Sequence, residues 1–227
     1  GAVFYNYLAE SVKEGKVTEA KIDVAVRRIL AVKEELGLFK DPYKYCKPSR
    51  EKETILSAEH LEVARDISRK SIVLLKNDNQ VLPISKETKI ALIGPLANSQ
   101  PELLGSWHGA GDAKDCITPL KGFQNQTQAS VTYALGCDIK GDRKTGFAEA
   151  IDLAKASDVV LLAIGEGANM SGEAASRSNI NLPGVQLDLA KALVETGKPV
   201  VVILMNGRPL SIPWLDENVD GILETWF

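Results

Sequence analysis

Short aliphatic and β-branched runs recur along most of the chain, set apart by polar loops and by stretches whose apolar residues fall three and four apart. The runs are Ser71 to Leu75, Lys89 to Ile93, Ser130 to Ala134, Asp158 to Ile164, Val200 to Leu204 and Gly221 to Glu224. Each has the length and composition of a strand. Helical spacing fills the gaps at Gly146 to Ala156 and Val185 to Glu195, as apolar periodicity near 3.6 requires. This alternation predicts an α/β class with a mostly parallel sheet flanked by helices. Asp158 to Gly165 is apolar almost without a break, which is the pattern of a parallel strand covered on both faces.

The beginning of the chain reads differently. Tyr7, Leu8 and Val12, and then Ile22, Val26, Ile29, Leu30 and Val32, fall at helical spacings on either side of Gly15. About forty residues cannot close a core around two such faces, so this piece either packs on the rest or is the tail of a larger domain. Between Lys40 and Ser57 the chain turns polar and proline-bearing, as interdomain linkers do. Ala58 to Lys70 is helical by pattern, with Ser57 and the acidic residues Glu59 and Glu62 near its start, where a capping oxygen and negative charge suit the helix dipole. The organisation expected is therefore 1–39 helical, 40–57 linker and 58–227 α/β.

Composition narrows the function classes. The 227 residues are 44% hydrophobic and 25% charged, ordinary values for a soluble globular protein. The formal charge is −3 and the basic residues are scattered, so the electrostatic footprint of nucleic-acid binding is missing. No apolar run reaches the ~18 residues that cross a bilayer. Cys46, Cys116 and Cys137 match no metal spacing, and His60 and His108 are too few and too far apart for a zinc site,. No cofactor is expected: Gly94-Pro95-Leu96 is neither a dinucleotide fingerprint nor a phosphate loop, and Pro95 removes a backbone donor that phosphate binding would use. The same lack counts against a flavodoxin-like nucleotide module.

Chemistry is sought where parallel strands end, because ligands collect in the crevice outside their carboxyl ends. The run ending at Gly165 leads into Glu166 and then Ser171-Gly172-Glu173. The run from Lys89 leads towards Gly105-Ser106-Trp107-His108-Gly109, and that from Val200 into Asn206-Gly207-Arg208-Pro209. Parallel strands would carry Trp107, Glu173 and Arg208 to one edge of the sheet. An aromatic face, a carboxylate and a guanidinium gathered there suit a neutral polyhydroxylated ligand. Each also has a plain structural reading. Trp107 is either a plug on the core or an exposed platform, Asn206-Gly207 is first a turn signal, and Glu166 at a strand exit by default takes an ion pair or backbone N–H groups.

The ordered set Ser71-Ile-Val-Leu-Leu-Lys-Asn77, Val81-Leu-Pro-Ile84, Ile93-Gly-Pro95, Gly165-Glu166, Ser171-Gly-Glu-Ala-Ala-Ser-Arg177, Leu182-Pro183 and Asn206-Gly-Arg-Pro209 resembles family 3 glycoside hydrolases of the bacterial β-glucosidase type. The resemblance covers nearly the whole chain. It implies that 1–39 is the last helical part of a (β/α)8 barrel and that 58–227 is most of an α/β sandwich domain. It implies that Glu173 is the general acid/base of a retaining β-glucosidase and that Trp107 flanks the sugar site beyond the scissile bond. Arg177 and Arg208 stand in recurrent motifs as loop-ordering residues.

The partners implied are a β-glucoside or oligosaccharide and the barrel domain, with neither nucleic acid nor membrane. Retention needs a second carboxylate about 5 to 5.5 Å from the first. The family's nucleophile is an Asp in a Ser-Asp-Trp or Ser-Asp-His motif, which this sequence lacks; Ser157-Asp158-Val159 lies in a strand context. The chain is therefore expected to be a fragment that begins where the family's barrel is finishing and stops at Phe227 before the rest of the sandwich, and to be inert alone, from a parent exported to the periplasm or secreted. The competing reading is a carbohydrate-binding α/β module without catalysis.

Overall fold

The computed structural model describes residues 2–126 and 130–227; Gly1, the first residue of the expected barrel remnant, lies outside them. The chain forms two compact units, one running to Val63 and the other from Ala64 to Phe227. The first holds helices α1 (Val3–Lys13), α2 (Glu19–Glu35) and α3 (Pro48–Thr54), and α4 (Ala58–Ser71) runs across the division. Within these helices no residue is buried, and Phe4, Tyr5, Ile29 and Val32 are among the large apolar side chains left exposed. The helix α3 falls inside the stretch read as a linker; a Pro in its first turn needs no amide partner there and pre-sets the helical φ,.

The second unit is built on β1 (Val73–Asn77), β2 (Ile90–Ile93), α5 (Pro119–Gln126), β3 (Val131–Ala134), α6 (Phe147–Lys155), β4 (Val159–Gly165), α7 (Gln186–Val194), β5 (Val200–Met205), α8 (Pro213–Asn218) and β6 (Gly221–Glu224). One sheet has the order β1-β6-β5-β4-β2-β3, and only the β1–β6 pairing is antiparallel. This is the mostly parallel, helix-flanked α/β architecture that the alternation of runs predicts. One run is displaced. The first strand starts at Val73 rather than Ser71, because Ser71 closes α4 with its hydroxyl donating to Ser68 O at 2.9 Å.

Side-chain alternation divides the sheet's residues between two cores. Ile93, Val160, Leu162, Ile164, Val202 and Leu204 face α6, α7 and α8, and Leu92, Leu161, Ala163, Val201, Ile203 and Met205 face Leu96, Leu120 and Phe123. Every residue of β4 is buried, which explains its unbroken apolar sequence. The helix α7 shows the complementary pattern: Gln186, Leu189, Ala190 and Leu193 are its buried positions, spaced i, i+3, i+4, i+7 along one face. Small residues at Ala150 and Ala154 let α6 lie close on the sheet. Burial on this scale is worth about 1.5–3 kcal/mol for each fully covered aliphatic side chain, and it makes the central strands a stiff base for the loops that leave them.

Candidate active site

The strands β2, β4 and β5 run parallel, so their carboxyl ends, at Ile93, Gly165 and Met205, open on one edge of the sheet. Gly165 makes the first turn there. Its φ is +144°, and a Cβ on it would stand 1.9 Å from Met205 O, so no other residue fits. The amide of Gln186 then holds that turn from α7: Oε1 accepts from Gly165 N at 2.8 Å, and Nε2 donates to Gly165 O and Ile139 O, both at 2.9 Å. The exit of β4 is thereby fixed through both of its backbone groups.

Directly beyond, Glu166 is 0% exposed and its N–H donates to Met205 O at 2.8 Å. One carboxylate oxygen, Oε1, takes Arg177 Nη1 at 2.5 Å. Arg208 Nε lies 3.1 Å from the same oxygen, but off the line of its N–H, so this contact is an ion pair without a directed hydrogen bond. Both guanidinium groups reach onward to the loop. Arg208 Nη2 donates to Met170 O and Ala175 O, the latter at 2.6 Å, and Arg177 Nη2 donates to Asn181 O at 2.9 Å. The downstream end of the segment is stitched to the β5 exit by Ser211 N donating to Ile180 O at 3.0 Å. A buried carboxylate of this kind is tolerable only because it is paired.

Asn206 and Glu224, at the ends of β5 and β6, extend the polar layer. Asn206 is fully buried and donates from Nδ2 to Arg208 O at 2.7 Å and to Glu224 Oε2 at 3.2 Å. Burial pushes the Glu224 carboxyl above its ordinary range, partly offset by the N–H of Trp226 and the Asn206 amide. Among the described residues, Glu166 Oε2 and Asn206 Oδ1 have no hydrogen-bond partner.

Above this layer the Ser171–Arg177 segment forms an exposed turn with Glu173 near its tip. Gly172 has φ +118°, and a Cβ there would meet Ser106 Oγ at 2.5 Å and Trp107 Nε1 at 3.5 Å. Glycine is demanded twice, by conformation and by the closeness of the Ser106-Trp107 loop. Ala174 follows with φ +58°, an uncommon conformation for a residue with a Cβ. Ser171 Oγ donates to Gly207 O at 3.0 Å, and Glu102 accepts the N–H of Ala168. Leu104, Trp107, Gly172, Gly207 and Phe227 border a depression of about 300 Å3. Trp107 is 73% exposed, a platform and not a core plug.

An independent match meets this geometry. The family model described as the glycosyl hydrolase family 3 C-terminal domain matches residues 72–227. The chain belongs to glycoside hydrolase family 3. Among its relatives, a periplasmic beta-glucosidase of Salmonella typhimurium is 41% identical over 99% of this chain and 32% of its own length. A beta-xylosidase of Formosa agariphila is 40% identical over 98% of this chain and 32% of its own length. A solved beta-glucosidase of Listeria innocua in complex with glucose superposes with a TM-score of 0.88 at 39% identity, covering 100% of this chain and 30% of that one. The chain thus spans about a third of the length of these relatives.

Within the family 3 fold, Trp107, Glu173 and the Asn206–Arg208 turn do come to one edge of the sheet, as the parallel reading requires. Arg177 and Arg208 lie beneath the Glu173 turn, and Glu166 forms the ion pairs that a strand-exit glutamate takes by default. Asp158 is at the opposite, amino end of β4, where its carboxylate accepts Lys89 N at 2.8 Å. Sequence reasoning missed Gln186, Asn206 as a buried bridge, Glu224 and Phe227. For Gln186 a signal existed, since it is a polar residue on the otherwise apolar stripe of α7. Nothing in the sequence marks Glu224 as buried beyond its place at a strand end.

Proposed function

We propose that this chain supplies the general acid/base and the leaving-group side of the active site of a retaining β-glucosidase. Glu173 protonates the departing glycosidic oxygen and later activates water, while the nucleophilic Asp comes from a barrel domain outside these residues. The observation that carries the reading is the turn itself: an exposed carboxylate at the tip of a segment tied down on both flanks, at the carboxyl edge of a parallel sheet, beside an exposed Trp. Trp107 stacks on the apolar face of the sugar that leaves, and Arg177 and Arg208 order the loop. The names of the relatives support this class of substrate, and β-glucosides are preferred here over β-xylosides on the strength of the motif set. A relative named as periplasmic supports an exported parent.

Chemically, a solvent-exposed glutamate becomes an effective acid when a second carboxylate and a drier environment are brought against it. A barrel-borne nucleophile about 5 to 5.5 Å away would supply both. The 227-residue chain by itself is therefore inert, and turnover of an aryl β-glucoside by the purified chain would contradict this. In the full-length enzyme containing this sequence, Glu173→Gln is expected to lower kcat/KM on cellobiose by about 10²- to 10⁴-fold. Unchanged activity on cellobiose would remove Glu173 from the chemistry.

A further inference from the structure

Arg208 touches the loop at two points that bracket Glu173: its Nη2 holds Met170 O on one side and Ala175 O on the other. The segment between has little else to hold it. Its own backbone contributes Ala175 N donating to Gly172 O at 3.3 Å, and Ser171 Oγ adds one bond to Gly207 O. A single guanidinium therefore sets the span of the turn. What sets the guanidinium is Glu166, whose carboxylate lies 3.1 Å from Arg208 Nε and also fixes Arg177.

We infer that Glu166 is the positioning residue for Glu173, transmitting the stiffness of β4 and β5 to the acid/base through Arg208 and Arg177; this rests on the reading of Glu173 given above. Glu166 is fully buried and has no route to a sugar, so it is not itself a catalytic residue. It is suited to hold others. Its backbone is bonded to β5 through Met205 O, and the preceding Gly165 is locked by Gln186. A guanidinium is planar and rigid, so holding its charge 3.1 Å from the carboxylate also limits where Nη2 lies against the two carbonyls. A lysine in place of Arg208 has one nitrogen and cannot serve the carboxylate and both carbonyls together. Without the carboxylate, two largely buried guanidinium groups, with side chains 20% and 17% exposed, face each other unpaired and turn towards water.

The test uses the full-length enzyme with two substrates that differ in their need for an acid, cellobiose and 2,4-dinitrophenyl β-glucoside. Misplacing the acid by about 1 Å costs about 10²-fold in a reaction that depends on it. Glu166→Gln is therefore expected to lower kcat/KM on cellobiose by about 10²-fold and on the dinitrophenyl glucoside by less than about threefold. Arg208→Lys, which keeps the charge should Glu166→Gln fail to fold, is expected to show the same split. Amide hydrogen exchange in either variant should quicken at 171–177 and stay unchanged in β4 and β5. Equal loss on both substrates with exchange quickened throughout the sheet would make the cluster a folding brace and overturn the inference, as would an unchanged kcat/KM on cellobiose. Glu173→Gln run beside them separates the two levels. If it keeps full activity on cellobiose, the acid/base reading itself fails, whereas its loss together with an indifferent Glu166→Gln leaves that reading standing and overturns positioning alone.

Discussion

The loop after β4 carries two glutamates in opposite surroundings. Glu166 is sealed from solvent and shares one oxygen between two arginines, while Glu173 stands exposed on a turn bordered by Gly172 and Ala174 in left-handed conformations. Taking a carboxylate out of water costs several kcal/mol unless partners replace the lost hydration, so Glu166 is committed to its arginines and cannot exchange protons with a substrate. Glu173 has no such commitment. The division of labour follows: the fold invests charge pairing in the buried residue and leaves the exposed one free to meet whatever closes over it.

Substitutions at each side of this pair test the division. The largest effect belongs to Glu173→Gln, with its loss on a substrate whose leaving group must be protonated. Glu166→Gln comes next, with the substrate-selective loss described above. Gly172→Ala follows, since the new methyl must displace Ser106 and hold φ near +118°. A strain of about 1–3 kcal/mol is expected, read as a lowered melting temperature of the 227-residue chain, together with a loss of about tenfold in kcat/KM on cellobiose for the full-length enzyme. Unaltered melting and activity would show that the turn is not held against the Trp107 loop. Trp107→Ala removes only a stacking surface, so KM should rise by about three- to tenfold with kcat nearly constant; a fall in kcat at constant KM would give Trp107 a different task.

The smallest effect contrasts a third carboxyl with the other two. Burial raises Glu224 above its ordinary value of 4.5, so the folded state keeps a proton that the unfolded chain has lost. Stability therefore falls as pH rises from that ordinary value through the raised one. Glu224→Gln is expected to flatten this slope, checked by thermal melts of wild type and variant from acid to neutral pH. Identical slopes would mean that Glu224 is ionised in the folded protein without cost.

Much of this was legible beforehand for a physical reason. The β4 and β5 segments are buried on both faces, and a strand residue under that constraint without a polar partner is aliphatic or small. Their loops follow from the strand direction, which is why Trp107, Glu173 and Arg208 could be placed on one edge. The helices α5 and α8 have too little apolar content to show a periodicity, although Pro119 and Pro213 at their first positions mark helix starts,. Ion pairing was less accessible. That Glu166 takes both arginines depends on where chain segments far apart in sequence return in space, and the tie from Arg208 to Met170 O and Ala175 O uses backbone carbonyls, which every residue has. In α1 and α2 the spacing gave the helices correctly while their apolar side chains remain exposed, since periodicity shows which face seeks burial but not what buries it.

The most direct measurement is product analysis with azide as an external nucleophile, using the full-length enzyme and 2,4-dinitrophenyl β-glucoside, with Glu173→Gln and Glu166→Gln in parallel. Loss of the acid/base leaves the glycosyl-enzyme without a group to activate water, and azide then attacks in its place. The account predicts β-glucosyl azide and restored turnover for Glu173→Gln, and for Glu166→Gln, whose acid/base is displaced but present, a smaller share of azide product beside glucose. No azide product from Glu173→Gln, or a share from Glu166→Gln as large as that from Glu173→Gln, would contradict it.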